Sequence, residues 1–384
     1  MKKTILALIA VIAATCFIAA QENNIGIKQN NNYSKAKALQ SIMDKYTAKD
    51  LPGISIAIYT EDEGWWAGSS GYAKVETKTP MKEYHLQYLQ SVSKTYMAVA
   101  ILKLHEEGKI DLDAPITKYL PKQYHHWLKN GNDITVRMLL THTSGVPEYI
   151  SNPEYTATIL LTPLKVSKME EALECLKDDE PQYAPGTKYR YTNTNFALLA
   201  LIADAITGNH ATYINKNIFI PLGLSNTHYR NEKNYINNTN LVDSYWDLLN
   251  VNKFVNITPM QKANVASMVG DDGIICTPAD AVKFMRGLME GKLLQDSSLK
   301  AMEQFVKNDE GRPVYGLGLI NFQVDSLTAY GHGGGGIGAG CALLYAPQKH
   351  AYIFLATNVG CVWDGPTPEK ANAMKEEIWK TVLQ

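Results

Sequence analysis

Three short clusters in the chain pair residue types suited to acyl transfer. Ser91-Val92-Ser93-Lys94 sets a hydroxyl and an amine one helical turn apart on one face. That spacing lets a lysine serve a serine as base or electrostatic partner, and a helix N-terminus favours the negative charge that develops. Tyr191-Thr192-Asn193 offers a phenol and a carboxamide, and Gly331-His332-Gly333-Gly334-Gly335-Gly336 carries the chain's single His-x-Gly. The first two patterns recur: Ser34/Lys37 and Ser297/Lys300 share the serine–lysine spacing, and Tyr213/Asn215, Tyr229/Asn231 and Tyr235/Asn237 share the other. Context separates the copies. Ser91 alone opens a long apolar segment, and Tyr191 alone follows Pro185-Gly186-Thr187 and leads into the nearly all-apolar run 196–206.

The glycine run invites two readings that fail on context. Gly331, Gly333 and Gly336 satisfy a dinucleotide fingerprint, but that motif must open a helix and residues 342–345 read as a strand. A His-Gly-Gly-Gly oxyanion loop of the α/β-hydrolase type needs a nucleophilic serine after it, and no serine follows Ser326. What survives is a strand edge stripped of side chains, able to approach an extended substrate and donate N–H groups to it.

The elements that must position these clusters have an α+β pattern. Ile54 to Tyr59 alternates and leads through an acidic turn into Trp65-Trp66-Ala67-Gly68, the pattern of a hairpin. Residues 92–108 have helical apolar spacing and stop at Gly108, and 196–206 before Gly208 is a second buried helix. Residues 315–322, 341–345 and 351–357 read as strands, and 368–383 as a last helix. Strands at both ends with helices between imply an antiparallel sheet flanked by helices, built from about 34–110 and 266–384, with a mainly helical lobe inserted at about 111–265.

Charge and composition exclude several partners. The 384 residues carry 37 Lys+Arg against 38 Asp+Glu, a formal charge of -1, so no basic surplus exists to bind nucleic acid. Cys175, Cys276, Cys341 and Cys361 form no Cys-x-x-Cys and read as small buried hydrophobes, and His125-His126 lacks ligand spacing, so no metal is expected. Lys2 and Lys3, an apolar run from Thr4 and Ala19-Ala20 before Gln21 read as an export signal over 1–20, with Cys16 as the alternative site of a lipid anchor. The Asn-rich stretch 21–33 reads as a flexible spacer. The expected location is periplasmic or extracellular, free or tethered.

In order and separation, Ser91-Val92-Ser93-Lys94, Tyr191-Thr192-Asn193 and His332-Gly333-Gly334 resemble the three signature elements of the penicillin-recognising serine hydrolases, in the branch holding class C β-lactamases, D,D-peptidases and esterases. Residues 134–145, Pro185-Gly-Thr, Pro221-Leu-Gly-Leu224, 270–280 and Tyr315-Gly-Leu-Gly318 resemble it too, so the likeness covers the chain from about Ser34 onward. It implies no cofactor and a small-molecule or peptide acyl substrate held in a cleft between the lobes. Ser91 would form an acyl-enzyme, with Lys94 and Tyr191 sharing the proton balance and either one the base. Asn193 would bind a substrate amide, His332, Gly333 and Gly334 would flank the substrate, and the N–H groups of Ser91 and Gly335 would form the oxyanion hole. His142, in Thr141-His142-Thr143-Ser144, would support the helical lobe. The departure is the third element: class C β-lactamases carry Lys-Thr-Gly, absent from this chain, whereas His-x-Gly occurs among the peptidases and esterases. An amide- or ester-cleaving peptidase or esterase therefore ranks above a β-lactamase proper, and both above a non-catalytic penicillin- or peptidoglycan-binding module.

Overall fold

The computed structural model describes residues 25–48, 51–230, 232–360 and 364–384. The expected export signal, Cys16 and Cys361 lie outside them. Six strands carry the main sheet: β1 (Gly53–Thr60), β2 (Gly64–Lys74), β3 (Ile320–Val324), β4 (Leu327–Gly335), β5 (Gly340–Ala346) and β6 (Ala351–Thr357). Their order is β2-β1-β6-β5-β4-β3, all antiparallel, with the short pieces Thr79–Pro80 beyond β2 and Pro313–Tyr315 and Val306–Lys307 beyond β3. The two ends of the chain meet where β1 pairs β6, Ile56 opposite Leu355.

Both faces of this sheet are covered. Ile54, Ile56, Ile58, Leu344, Ile353 and Leu355 point to one side, into a core with helices α1 (Ala36–Thr47) and α5 (Pro366–Leu383). Ala57, Leu343, Phe354 and Ala356 point to the other, into a core shared with α2 (Ser93–Glu106), α3 (Asn193–Thr207) and α4 (Pro278–Met289). The period-two switch sends alternate residues to opposite layers, so every position of β6 is apolar or small and buried. Helices α2 and α3 are buried almost all round, α2 with Ser93, Lys94 and Thr95 among its enclosed residues, and are sandwiched rather than laid on a surface. Each ends at a glycine with left-handed backbone, Gly108 at φ 70° and Gly208 at φ 81°. Between residues 111 and 265 the regular structure is mostly helical: α3 and shorter helices, among them Val136–Leu140, Pro153–Leu161 and Met169–Glu174, joined by loops and a few two-residue strands.

Two expectations change. The stretch 315–322 is not one strand: Pro313–Tyr315 turns through residues 316–319 and pairs back on β3, Tyr315 opposite Ile320. Gly318 takes φ 76°, and Gly316 lies against the Met302 carbonyl with no room for a Cβ, so the glycines make the turn. The spacer is also not free from Ile25 on. Gln29 bridges to Trp65, Asn30 N–H donates to Trp65 O at 2.7 Å, and Tyr33 is buried with its ring stacked against Trp66. One aromatic and a backbone pairing outweigh the polar composition around them.

The glycine run sits on β4. Up to Gly331 the strand is paired on both sides, but from His332 to Gly335 it keeps only β5. The vacated side receives the turn that carries Ser91. A Cβ on Gly334 would sit 2.6 Å from Leu89 O and 2.9 Å from Gln90 Cβ, whereas one on Gly333 would meet nothing within 4 Å. Gly334→Ala should therefore cost about 1–3 kcal/mol by overpacking, and Gly333→Ala within about 0.5 kcal/mol of nothing. Urea unfolding of the pair checks this, and equal midpoints would contradict the packing.

Candidate active site

Ser91 lies in a 3-10 turn, Gln90–Val92, that runs straight into α2. The turn is held from behind. Gln87–Tyr88 pairs with Ile275–Cys276, Leu89 N–H donates to Ile274 O at 3.0 Å, and Ile274 N–H donates to Ser93 Oγ at 3.3 Å. Gln90 is forced to φ 47°, a left-handed conformation costing roughly 1–2 kcal/mol for a side chain with a Cβ. That local cost turns Ser91 out toward a cavity of about 440 Å³. Ser91, Tyr191, Asn193 and Gly335 all line it, with Gln90, Asp271, Asp272 and an apolar wall that includes Ile150, Ile159, Met260 and Ile337.

Lys94, one turn on, is 0% exposed and lies under the cavity floor. Its ammonium donates to Ser91 Oγ at 2.9 Å, Asn193 Oδ1 at 2.7 Å and the backbone carbonyl of Asp271 at 2.9 Å. Burial opposes its charge, but Tyr191, Asp271 and Asp272 outweigh that and raise its pKa. The Tyr191 ring sits 5.1 Å from the ammonium. Its hydroxyl is buried with no hydrogen-bond partner of normal geometry. Burial raises the phenol pKa, while Lys94 and Ser91 are near enough to pull it back. Asn193 is oriented from its far side: its Nδ2 donates to Glu148 Oε2 at 2.9 Å and its N–H to the same oxygen at 2.7 Å. The amide carbonyl is thereby aimed at Lys94, so Asn193 spends one donor and its acceptor inside the protein.

The floor continues into three carboxyls. Asp271 is 1% exposed; its Oδ2 accepts from Tyr149 at 2.7 Å and its Oδ1 has no partner. Asp272 is 4% exposed and accepts from Gly273 N–H at 2.6 Å. Burial, then the charge of Asp271, pushes the Asp272 carboxyl up to about 7. Burial also raises Glu148 and Asp271. Arg230, the other cation nearby, donates to the carbonyls of Ala266 and Met268 rather than to a carboxylate.

The structure does not bring His332, Gly333 or Gly334 to the cavity wall. His332 is buried, with Nδ1 donating to Gly333 O at 2.6 Å and Nε2 accepting from Tyr315 at 2.8 Å. Both ring nitrogens are used. Burial and then the Lys94 ammonium depress its pKa to about 3, so it carries no charge. His142 is likewise neutral and buried: its Nδ1 faces Thr192 N–H at 3.3 Å and Asn195 Nδ2 at 3.1 Å, and its ring centroid is 4.3 Å from that of Tyr191. It packs the Tyr191 segment in place.

Gln90, Glu148, Tyr149, Asp271 and Asp272 were not singled out as site residues from sequence. Two adjacent acids inside Met268-Val-Gly-Asp-Asp-Gly-Ile-Ile-Cys276 were the available signal, because charge within an apolar run marks a buried site.

A sequence model of the family described as Beta-lactamase matches residues 38–363. The solved D-amino acid amidase of Ochrobactrum anthropi SV3, complexed with L-phenylalanine amide, superposes with a TM-score of 0.78 over 90% of this chain and 97% of its own, at 24% identity, a likeness of fold. A D-stereospecific amidohydrolase from a Streptomyces species gives 0.74 over 88% and 98%, at 25% identity. Protein flp of Staphylococcus aureus (strain N315) is 27% identical over 201 residues, 51% of this chain but only 39% of that protein's length. The family match spans the turn of Ser91, the Tyr191 segment and β4, and on that basis the chain belongs to the beta-lactamase family.

Proposed function

We propose that the protein is an exported serine hydrolase that cleaves an amide or ester through an acyl-enzyme on Ser91, its substrate a D-amino-acid peptide, an ester or a similar small acyl donor. The observation that carries this is the Lys94 ammonium 2.9 Å from Ser91 Oγ at the floor of an open cavity, with the buried Tyr191 hydroxyl close enough to both to be influenced by them. Export rests on Lys2, Lys3 and the apolar run that follows.

Against the opposing effect of burial, Tyr191 first and then the Asp271 and Asp272 carboxyls favour the ammonium form of Lys94, which leaves Tyr191 as the base. Its phenolate, stabilised by Lys94, takes the Ser91 proton as Oγ attacks the acyl carbon. The N–H groups of Ser91 and Gly335 receive the oxyanion, and Tyr191 returns the proton to the leaving amine or alcohol. Water then repeats the sequence on the acyl-enzyme. A neutral His332 offers no cation to a substrate carboxylate, which argues for peptidase or esterase activity over β-lactam hydrolysis.

Ser91→Ala should reduce hydrolysis of p-nitrophenyl acetate to the uncatalysed rate with the fold intact by circular dichroism. Tyr191→Phe should cost about 10²–10⁴ in kcat. Undiminished turnover in Ser91→Ala would refute the assignment. Because the Tyr191 and Lys94 pKa values both lie above their usual positions, the base holds its proton at neutral pH, and its reactive fraction grows as pH rises. The Ser91-dependent kcat/KM should therefore climb from about pH 6 to 9, by up to about tenfold per unit, with no histidine contribution because both site histidines stay neutral, and with a superimposed step only where the Asp272 carboxyl titrates at about 7. A plateau already reached at about pH 7 would contradict that pKa ordering.

A further inference from the structure

The cavity wall beside Ser91 carries acceptors that have no hydrogen-bond partner among the described residues. Asp271 Oδ1 has no partner although the residue is 1% exposed. Asn264, itself 9% exposed and on the same wall, has an Oδ1 without a partner as well. Asp272 completes the group, with one oxygen bonded only to the N–H of the next residue. Among the described residues neither nearby cation is hydrogen-bonded to them: Lys94 uses its donors on Ser91, Asn193 and a backbone carbonyl, and Arg230 bonds two backbone carbonyls and keeps its buried Nε without a partner. Leaving a buried acceptor unbonded is costly. A ligand carrying donors and positive charge would remove that cost.

Position narrows the ligand further. Ser91, Asp271, Asp272 and Asn264 line one cavity, and Lys94 ties the Asp271 backbone, though not its carboxylate, to Ser91 Oγ. A group bonded there while its acyl carbon faces Ser91 must lie close to that carbon. The opposite wall is Ile150, Ile159, Leu160, Met260 and Ile337, which suits an apolar side chain. We propose that Asp271, Asp272 and Asn264 form a subsite for the free α-ammonium group of an amino-acid amide, ester or N-terminal peptide residue with an apolar side chain. The inference rests on the hydrolase reading above and adds the substrate class.

The test compares substrates that differ only in the amine. kcat/KM is measured for the D and L forms of phenylalanine p-nitroanilide, their N-acetyl derivatives, and 3-phenylpropionic acid p-nitroanilide, with p-nitrophenyl acetate as an uncharged reference. The wild-type protein should favour the better free-amine enantiomer over its des-amino and N-acetyl analogues by at least about tenfold, since a site built for a polar group rejects the analogue lacking it. In Asp271→Asn/Asp272→Asn that ratio should fall by at least about tenfold, and a ratio is insensitive to a general loss of active protein. Equal wild-type rates with and without the amine, alongside Ser91-dependent cleavage of p-nitrophenyl acetate, would overturn the subsite alone. Absence of Ser91-dependent cleavage of every substrate would overturn the hydrolase reading and the subsite with it.

Discussion

The site is organised around one buried cation. Removing an ammonium from water is costly, and Lys94 is fully enclosed, so it persists only because each donor meets an acceptor in good geometry. Those acceptors belong to three separate stretches of chain: the turn before α2, the start of α3, and the loop carrying Asp271. The same bonds that make the charge tolerable fix the distance between nucleophile, amide and acidic floor. Losing any one would leave a buried charge undersatisfied, so the constraint acts on all three segments at once.

Everything beneath the cation serves to hold those stretches still. The short pairing of Gln87–Tyr88 with Ile275–Cys276 ties the nucleophile turn to the segment just after Asp272. Glu148 sets the orientation of Asn193 through two bonds to one oxygen, and His142 packs behind Tyr191. On the other flank the unpaired end of β4 accepts Leu89 and Gln90 only because Gly334 and Gly336 have no side chains to put there. The left-handed backbone of Gln90 is sustained by this enclosure and is the strained point from which Ser91 projects.

Legibility in the sequence followed the range of the interactions. The hairpin of β1 and β2, helices α2 and α3 and the closing strands were readable because apolar periodicity and terminal glycines are local signals. The spacing of Ser91 and Lys94 was readable because one helical turn fixes it. The split at residues 316–319 was missed because a run of apolar residues conceals a turn whose need for glycine comes from Met302. The docking of residues 25–33 was missed because polar composition hides one well-placed tyrosine. His332 was expected at the substrate, but its fate is decided by Tyr315, on another strand, and by burial that no local pattern reports. Asp271 and Asp272 acquire their meaning only from the lysine that the fold brings beside them.

The most direct measurement of the claim that Lys94 makes Ser91 the nucleophile is time-resolved intact-mass analysis with a fluorophosphonate, followed by peptide mapping, on the wild type and Lys94→Met. The account predicts one adduct, on Ser91, forming at least about a hundredfold more slowly in the variant, consistent with loss of positioned acid–base assistance. Labelling of Ser91 at an equal rate in both proteins, or labelling of another serine, would contradict it.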